Sequence, residues 1–198
     1  MIMNKAIFLD KDGTINEDVG YLEHHTKLKV FPYSARAIKM LNAAGYKIIV
    51  VSNQSGIARG ILTEGILQAI DKRLNKEILS GGGRIDAIYY CPHHPDHGHH
   101  PYKKACECRK PATGMIKQAQ QRFDLDLSQC YMVGDKLCDI ELGVNAGVKP
   151  ILVKTGYGAE VALDPALKKL KPVYVADNLL AAAEWIVGQG NPPNSKIP

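Results

Sequence analysis

Ile7-Phe8-Leu9-Asp10-Lys11-Asp12-Gly13-Thr14 is the stretch whose reading decides the fold. Its apolar start, from Ala6 to Leu9, reads as a buried strand. That strand ends in two acids one residue apart, followed by a glycine. In an open parallel sheet, ligands collect outside the carboxyl ends of the strands. A strand running into Asp-x-Asp-Gly-Thr therefore aims carboxylates at that crevice, and Gly13 permits the sharp exit. An ordinary turn accounts for Asp12-Gly13. It does not account for a second acid at the same mouth.

Outward from this stretch the chain alternates. Residues 16–29 are polar and read as a flap over the first strand. Residues 34–44 read as a helix, with Ser34 as cap and Gly45 as stop. Lys47-Ile48-Ile49-Val50-Val51 is an apolar run suited to a strand buried on both faces. It ends in Ser52-Asn53-Gln54-Ser55-Gly56, small polar groups able to grip phosphate oxygens. A helix over 63–79, capped by Thr63, leads to a strand over 85–90. Farther on, a strand over 130–133 ends in Gly134-Asp135-Lys136, a third acid at a strand mouth, with Asp139 just beyond. A helix over 140–146, a strand over 150–153, a loop Thr155-Gly156-Tyr157-Gly158 at the mouth, a strand over 173–175 and a helix over 178–187 complete the series. Such alternation predicts an α/β fold: a three-layer, Rossmann-like parallel sheet with helices on both faces. The spacings leave no room for a separate cap domain. One domain over 1–188, carrying an elaborated loop at 91–110, and a flexible tail over 189–198 are expected.

Composition narrows the function. A chain of 198 residues suits a single domain. No apolar run approaches the ~20 residues that span a bilayer, and the chain enters a strand almost at once, so neither a membrane anchor nor a signal peptide is expected. Five cysteines, an odd number, suit a reducing compartment better than a disulfide framework. The expectation is a cytoplasmic monomer. The net charge of +5 is spread along the chain without a basic run, which argues against nucleic acid and is compatible with a small anionic substrate.

Between Cys91 and Cys108 the chain changes character. Three of the five cysteines and five of the seven histidines fall there. Cys91-x-His93 and Cys106-x-Cys108 supply two close pairs, and tetrahedral zinc takes four such ligands. A metal would staple a loop with little apolar content. Spacing alone leaves His93, His94 and His97 open as the histidine ligand. Pro111 suits a first helical position, so Arg109 and Lys110 would lie at a helix start, where they can meet an anion.

The acid pair, Ser52, Lys110 and Asp135, in that order, resemble the four motifs of the haloacid dehalogenase-like phosphatases. The resemblance implies that Asp10 is the nucleophile and Asp12 the general acid/base. It implies that Ser52 and Lys110 stabilise the transferring phosphoryl group. Magnesium would be held by Asp10, the Asp12 carbonyl and Asp135, with Asp139 supporting from behind. The cysteine loop just before Arg109-Lys110-Pro111, together with Gly20-Tyr21-Leu22 and Ser52 to Gly56, is similar to the capless heptose bisphosphate phosphatases over roughly residues 5–158. That similarity implies removal of the C7 phosphate of D-glycero-D-manno-heptose 1,7-bisphosphate, in the synthesis of nucleotide-activated heptose for lipopolysaccharide core. It implies substrate contacts from Asp18, Val19, Gly20, Tyr21, Ser52, Asn53, Gln54, Ser55, Lys110 and Lys136, with Arg109 on the remote C1 phosphate. It also implies a structural zinc on Cys91, His93, Cys106 and Cys108. Histidinol-phosphate phosphatase, which shares the acids and a zinc loop, is the rival reading. A zinc-stapled binding module without catalysis is the rival from outside the enzymes.

Overall fold

The structure, a computed structural model, describes residues 3–190. Six parallel strands form one sheet: β1 (Lys5–Leu9), β2 (Tyr46–Asn53), β3 (Ala87–Cys91), β4 (Tyr131–Gly134), β5 (Lys149–Val153) and β6 (Tyr174–Ala176). Their order is β3-β2-β1-β4-β5-β6. The chain winds outward one way from β1 and then the other way from β4, so the order reverses between these two central strands. Open α/β sheets hold their ligands at that reversal.

The central strands are apolar on both faces because both faces are covered. Ile7 and Leu9 of β1 pack with Ile48, Val50 and Val133 against α1 (Ser34–Ala43), α2 (Glu64–Ser80) and α7 (Leu179–Gly190). Ala6 and Phe8 point the other way, as a period of two requires. They pack with Ile49, Val51 and Met132 against α3 (Gly114–Phe123) and α4 (Leu137–Ala146). The expected three-layer architecture is therefore present. The connections 10–33 and 54–63 carry no strand and no α-helix, so no large cap covers the carboxyl ends of the strands.

Several local expectations are corrected. Ser34 does not cap α1; Tyr33 occupies that position, and Ser34 Oγ donates instead to Ile15 O at 2.7 Å, tying the flap to the helix. Thr63 does cap α2, accepting from Ile66 N at 3.2 Å. Pro111 is not a first helical residue: α3 begins at Gly114. Arg109 and Lys110 thus lie in the loop, away from the helix start, and no helix dipole needs invoking for them. Helix α4 begins at Leu137, earlier than the apolar stripe suggests, because Asp139 Oδ2 accepts from Lys136 N at 3.0 Å and secures the first turn. Two short helices, α5 (Gly158–Val161) and α6 (Pro165–Leu170), were not anticipated. Asp164 caps α6 and Pro165 opens it, a signal present in the sequence. Helix α7 reaches Gly190, so the first residues of the expected tail are helical; 191–198 lie outside the described residues.

Candidate active site

The site forms where β1, β2 and β4 end side by side. Leu9 is in register with Val50 and with Val133. Asp10 N donates to Val133 O at 2.9 Å, which carries the β1 mouth onto the β4 mouth. Asp10 and Asp135 therefore face each other, both buried. Gly13, at φ +92°, passes so close to Asp135 that a Cβ there would overlap its carboxylate. Only glycine permits both the conformation and the approach.

Lys110 reaches into this floor from the long loop. Its Nζ donates to Asp10 Oδ1 at 2.7 Å and to Val51 O at 3.0 Å. It also lies 2.7 Å from Asp139 Oδ1, at an angle outside hydrogen-bond geometry, so that contact is an ion pair. Lys110 is 4% exposed. Burial opposes its charge, but Asp10 and Asp139 overcome that and raise its pKa. Asp10 shows the mirror effect: burial resists ionisation, and Lys110 with Lys136 outweighs it, holding the carboxyl below the usual range. The nucleophile candidate is thus an anion. Asp135 has no such partner. Burial, then the charge of Asp10, pushes it up to about 8. Its Oδ2 accepts from Tyr157 N at 2.9 Å, while its Oδ1 has no hydrogen-bond partner.

That orphaned, fully buried oxygen is what a cation would satisfy. Ligand atoms of Asp10, Asp135 and Asp139 lie within 4.8 Å of one another. Both Asp139 oxygens already face donors, Lys110 Nζ and Lys136 N. The Lys11 carbonyl accepts from Thr14, Ile15 and Asn16, whereas none of the loop's backbone hydrogen bonds among the described residues uses that of Asp12. An all-oxygen set of this kind fits a hard divalent ion.

Asp12 is held from two sides. Asn16 Nδ2 donates to its Oδ1 at 2.8 Å and Gln54 Nε2 to its Oδ2 at 2.9 Å. Gln54 Nε2 also lies 2.8 Å from Ser52 Oγ, so one amide sets both groups. Asn53 spends its side chain on the Lys110 backbone, at 3.0 and 3.1 Å, and so fixes where the loop delivers its lysine. Lys11, buried beside Asp12 at 3.8 Å and Asp71 at 3.6 Å, is a neighbour that sequence reasoning passed over. Asn16 was missed too; the turn after Asp12 brings its amide back onto the Asp12 carboxylate.

Two cavities open above this floor. The smaller, of about 210 Å³, is lined by Asp10, Ser52, Arg109 and Lys110 among others. The larger, of about 530 Å³, runs along the flap past Asp18, Gly20, Tyr21, Gln54 and Tyr157. Asp12, Asn53, Ser55 and Lys136 line both, making one continuous cleft. Lys136 Nζ is held by Asp18 Oδ2 at 2.7 Å. Val19 is exposed and lines neither cavity.

The cysteine loop is gathered at one point. The sulfurs of Cys91, Cys106 and Cys108 lie 3.0, 3.0 and 3.3 Å apart, and His93 Nδ1 is 3.4 Å from Cys108 and 3.8 Å from Cys91. No pair approaches the ~2.05 Å of a disulfide. The four ligand atoms lie close enough to hold one metal ion. Of the three histidines left open by spacing, His93 is the one grouped with the sulfurs, while His94 Nδ1 accepts from the backbone N–H groups of Asp96 and His97. Arg109 Nη1 donates to His93 O at 3.2 Å, which ties the cluster to the smaller cavity.

Residues 107–182 match a family model described as HAD-hydrolase-like. A D-glycero-D-manno-heptose-1,7-bisphosphate 7-phosphatase of Chlorobaculum tepidum is 37% identical over 192 residues, spanning 93% of this chain and 96% of its own. Its counterpart in Thermosynechococcus vestitus is 41% identical over 185 residues, spanning 91% and 94%. Among solved structures, the D,D-heptose 1,7-bisphosphate phosphatase from B. bronchiseptica, complexed with magnesium and phosphate, is similar at a TM-score of 0.84 and 34% identity. That match covers 94% of this chain and 99% of the other.

Proposed function

Because the chain belongs to the D-glycero-D-manno-heptose-1,7-bisphosphate 7-phosphatases of the HAD-like hydrolases, we propose that it removes the C7 phosphate of that sugar through a phosphorylated Asp10. The observation that carries the reading is the buried pair of Asp10 and Lys110, 2.7 Å apart beside the unsatisfied Asp135.

Asp10, the Asp12 carbonyl and Asp135 would hold a magnesium ion. Its positive charge would lower the repulsion between a carboxylate and an anionic ester. Asp10 attacks phosphorus, forming an acyl phosphate as the bond to the sugar oxygen breaks. Asp12, oriented by Asn16 and Gln54, gives its proton to that oxygen. A water then attacks the same phosphorus, loses its proton to Asp12 and frees the Asp10 carboxylate and inorganic phosphate. Ser52 Oγ and Lys110 Nζ stand where charge accumulates on the phosphoryl oxygens. Asp18, Gly20, Tyr21 and Lys136 face the sugar bisphosphate from the flap side. Arg109 supplies the cation for the phosphate that is not removed. One chain supplies every group, so a monomer suffices. Five free cysteines suit the cytoplasm, where such an intermediate of nucleotide-activated heptose synthesis is made.

Turnover decides between this reading and its rival. The heptose bisphosphate is expected to exceed histidinol phosphate by at least about 10²-fold in kcat/KM, because Arg109 would be left unpaired by a substrate with no second anion. Equal turnover of the two, or a preference for histidinol phosphate, overturns the assignment.

We assign zinc to Cys91, His93, Cys106 and Cys108, a tetrahedral thiolate-imidazole set. Burial pushes the Cys91 thiol up, and binding a metal removes that proton. Cys106→Ser is expected to abolish about one equivalent of bound zinc. It should lower Tm by roughly 5–10 °C, the equivalent of ~2–3 kcal/mol in a chain of this size. KM should rise more than kcat falls, since Arg109 loses its tether. Elemental analysis with calorimetry reads this; fully active, zinc-free wild-type protein would contradict it.

A further inference from the structure

The loop Thr155-Gly156-Tyr157-Gly158 has no part in the chemistry above, yet it is fastened to the catalytic loops. Thr155 Oγ1 donates to Gly13 O at 2.6 Å, and Tyr157 N to Asp135 Oδ2 at 2.9 Å. Gly156, at φ +56°, packs so closely that a Cβ would overlap the Asp135 carboxylate and crowd Gly13. The backbone is thereby held rigid. The side chain it presents is nonetheless 48% exposed. The Tyr157 ring lines the larger cavity, with Lys136 Nζ 5.1 Å from its centroid. Tyr21, 40% exposed, lines the same chamber with Leu62 and Val161. A rigid mount for an uncovered aromatic ring is costly to leave in water and is what a preformed contact surface requires.

The chemistry of the chamber indicates what covers the ring. A second phosphoryl group wants cations. Among the described residues Lys136 is the only Lys or Arg lining this chamber, and Asp18 already neutralises it at 2.7 Å. Arg109 and Lys110 line the other cavity. The larger chamber therefore suits an uncharged body with hydroxyl groups for Asp18 and Ser55 and C–H bonds for the aromatic face. That is the body of a sugar.

Building on the phosphatase reading, we propose that Tyr157 is a specificity-determining platform against which the sugar ring of the substrate packs its C–H face. Its backbone N–H serves Asp135, and its side chain selects the ring.

The test compares wild type with Tyr157→Ala, Tyr157→Leu and Tyr157→Phe on the heptose 1,7-bisphosphate, on mannose 6-phosphate and on glycerol 3-phosphate, which has no ring. The ratio of kcat/KM on a ring ester to that on glycerol 3-phosphate is expected to fall about tenfold in Tyr157→Ala, chiefly through KM. In Tyr157→Phe it should stay within about twofold, because the aromatic face is kept. Tyr157→Leu keeps bulk without an aromatic face; it should fall with the alanine variant, and it carries the test if that variant does not fold. Equal losses on all three esters overturn the proposal and reduce Tyr157 to a prop for Asp135. A loss in Tyr157→Phe as large as in Tyr157→Ala also overturns it, in favour of the hydroxyl. Wild type that cleaves mannose 6-phosphate but not the heptose bisphosphate removes the substrate reading and leaves the platform judged on mannose 6-phosphate. Wild type inactive on every ester overturns both.

Discussion

Asp10→Asn is expected to stop phosphate release, by a factor on the order of 10⁴ or more. The substitution keeps the shape of the side chain and leaves an oxygen to accept from Lys110, so the fold should hold. What it removes is the charge that attacks phosphorus. No neighbour can substitute. Asp135 is tied to Tyr157 N, Asp139 to Lys110 and the Lys136 N–H, and Asp12 to Asn16 and Gln54. Each is held for a different task, and none can swing into the place of Asp10 without breaking buried contacts. The measurement is phosphate release from the heptose bisphosphate, together with trapping of a hydroxylamine-labile phosphoryl group. Wild type should show the trapped group and Asp10→Asn should not. Undiminished release by the variant would remove Asp10 as the nucleophile and with it the phosphorylated intermediate.

Lys110→Met is expected to damage stability and activity together. In the folded chain this ammonium sits between two buried carboxylates, Asp10 and Asp139. Its removal leaves those two acids unpaired and facing each other. Breaking a buried pair from one side costs about 3–5 kcal/mol, far more than the loss of a surface ion pair. Asp10 would resist ionisation once its main opposing charge is gone, and the phosphoryl oxygens would lose a donor worth roughly 10²–10³ in kcat. The pH range follows from the direction of each shift. Asp10, held below its ordinary value, contributes stability that is present above an unfolded pKa of ~3.9 and lost as acid protonates it. Lys110, held above its ordinary value, contributes stability that is complete below ~10.4 and lost only in strong alkali. Wild type should therefore outlast the variant in urea across the whole neutral range. Equal urea midpoints for the two proteins would show that the cluster is not coupled as the distances imply.

Most of the architecture was legible because a buried parallel sheet leaves its mark locally. Ile48 to Val51 is apolar without alternation, and the structure covers it on both faces. Helix ends were legible for the same reason: the helix expected to close at residue 146 does so, and Gly147 beyond it takes φ +71°, as an αL cap requires. The errors came where one residue type has two uses. Ser34 has the chemistry of a cap but bonds to Ile15, 19 positions back. Pro111 has the shape of a helix start, but the loop that carries Lys110 to Asp10 continues to Thr113. In each case a long-range contact outweighed a local preference of about 1 kcal/mol.

From the sequence alone came the doubly covered sheet, the order of acids at the strand mouths and the paired Cys/His spacing. All of these are properties of neighbours along the chain. Tertiary structure alone decided the rest. It set Asp135 against Gly13, brought His93 to the sulfurs while His94 took the backbone N–H groups of Asp96 and His97, spent Asn53 on the Lys110 backbone, and left Val19 outside the cleft while raising Tyr157 beside it. The physical reason is range. Periodicity and capping act over a few residues, whereas the field at a buried carboxylate is set by whichever charge the fold brings within about 4 Å, however far away it lies in sequence.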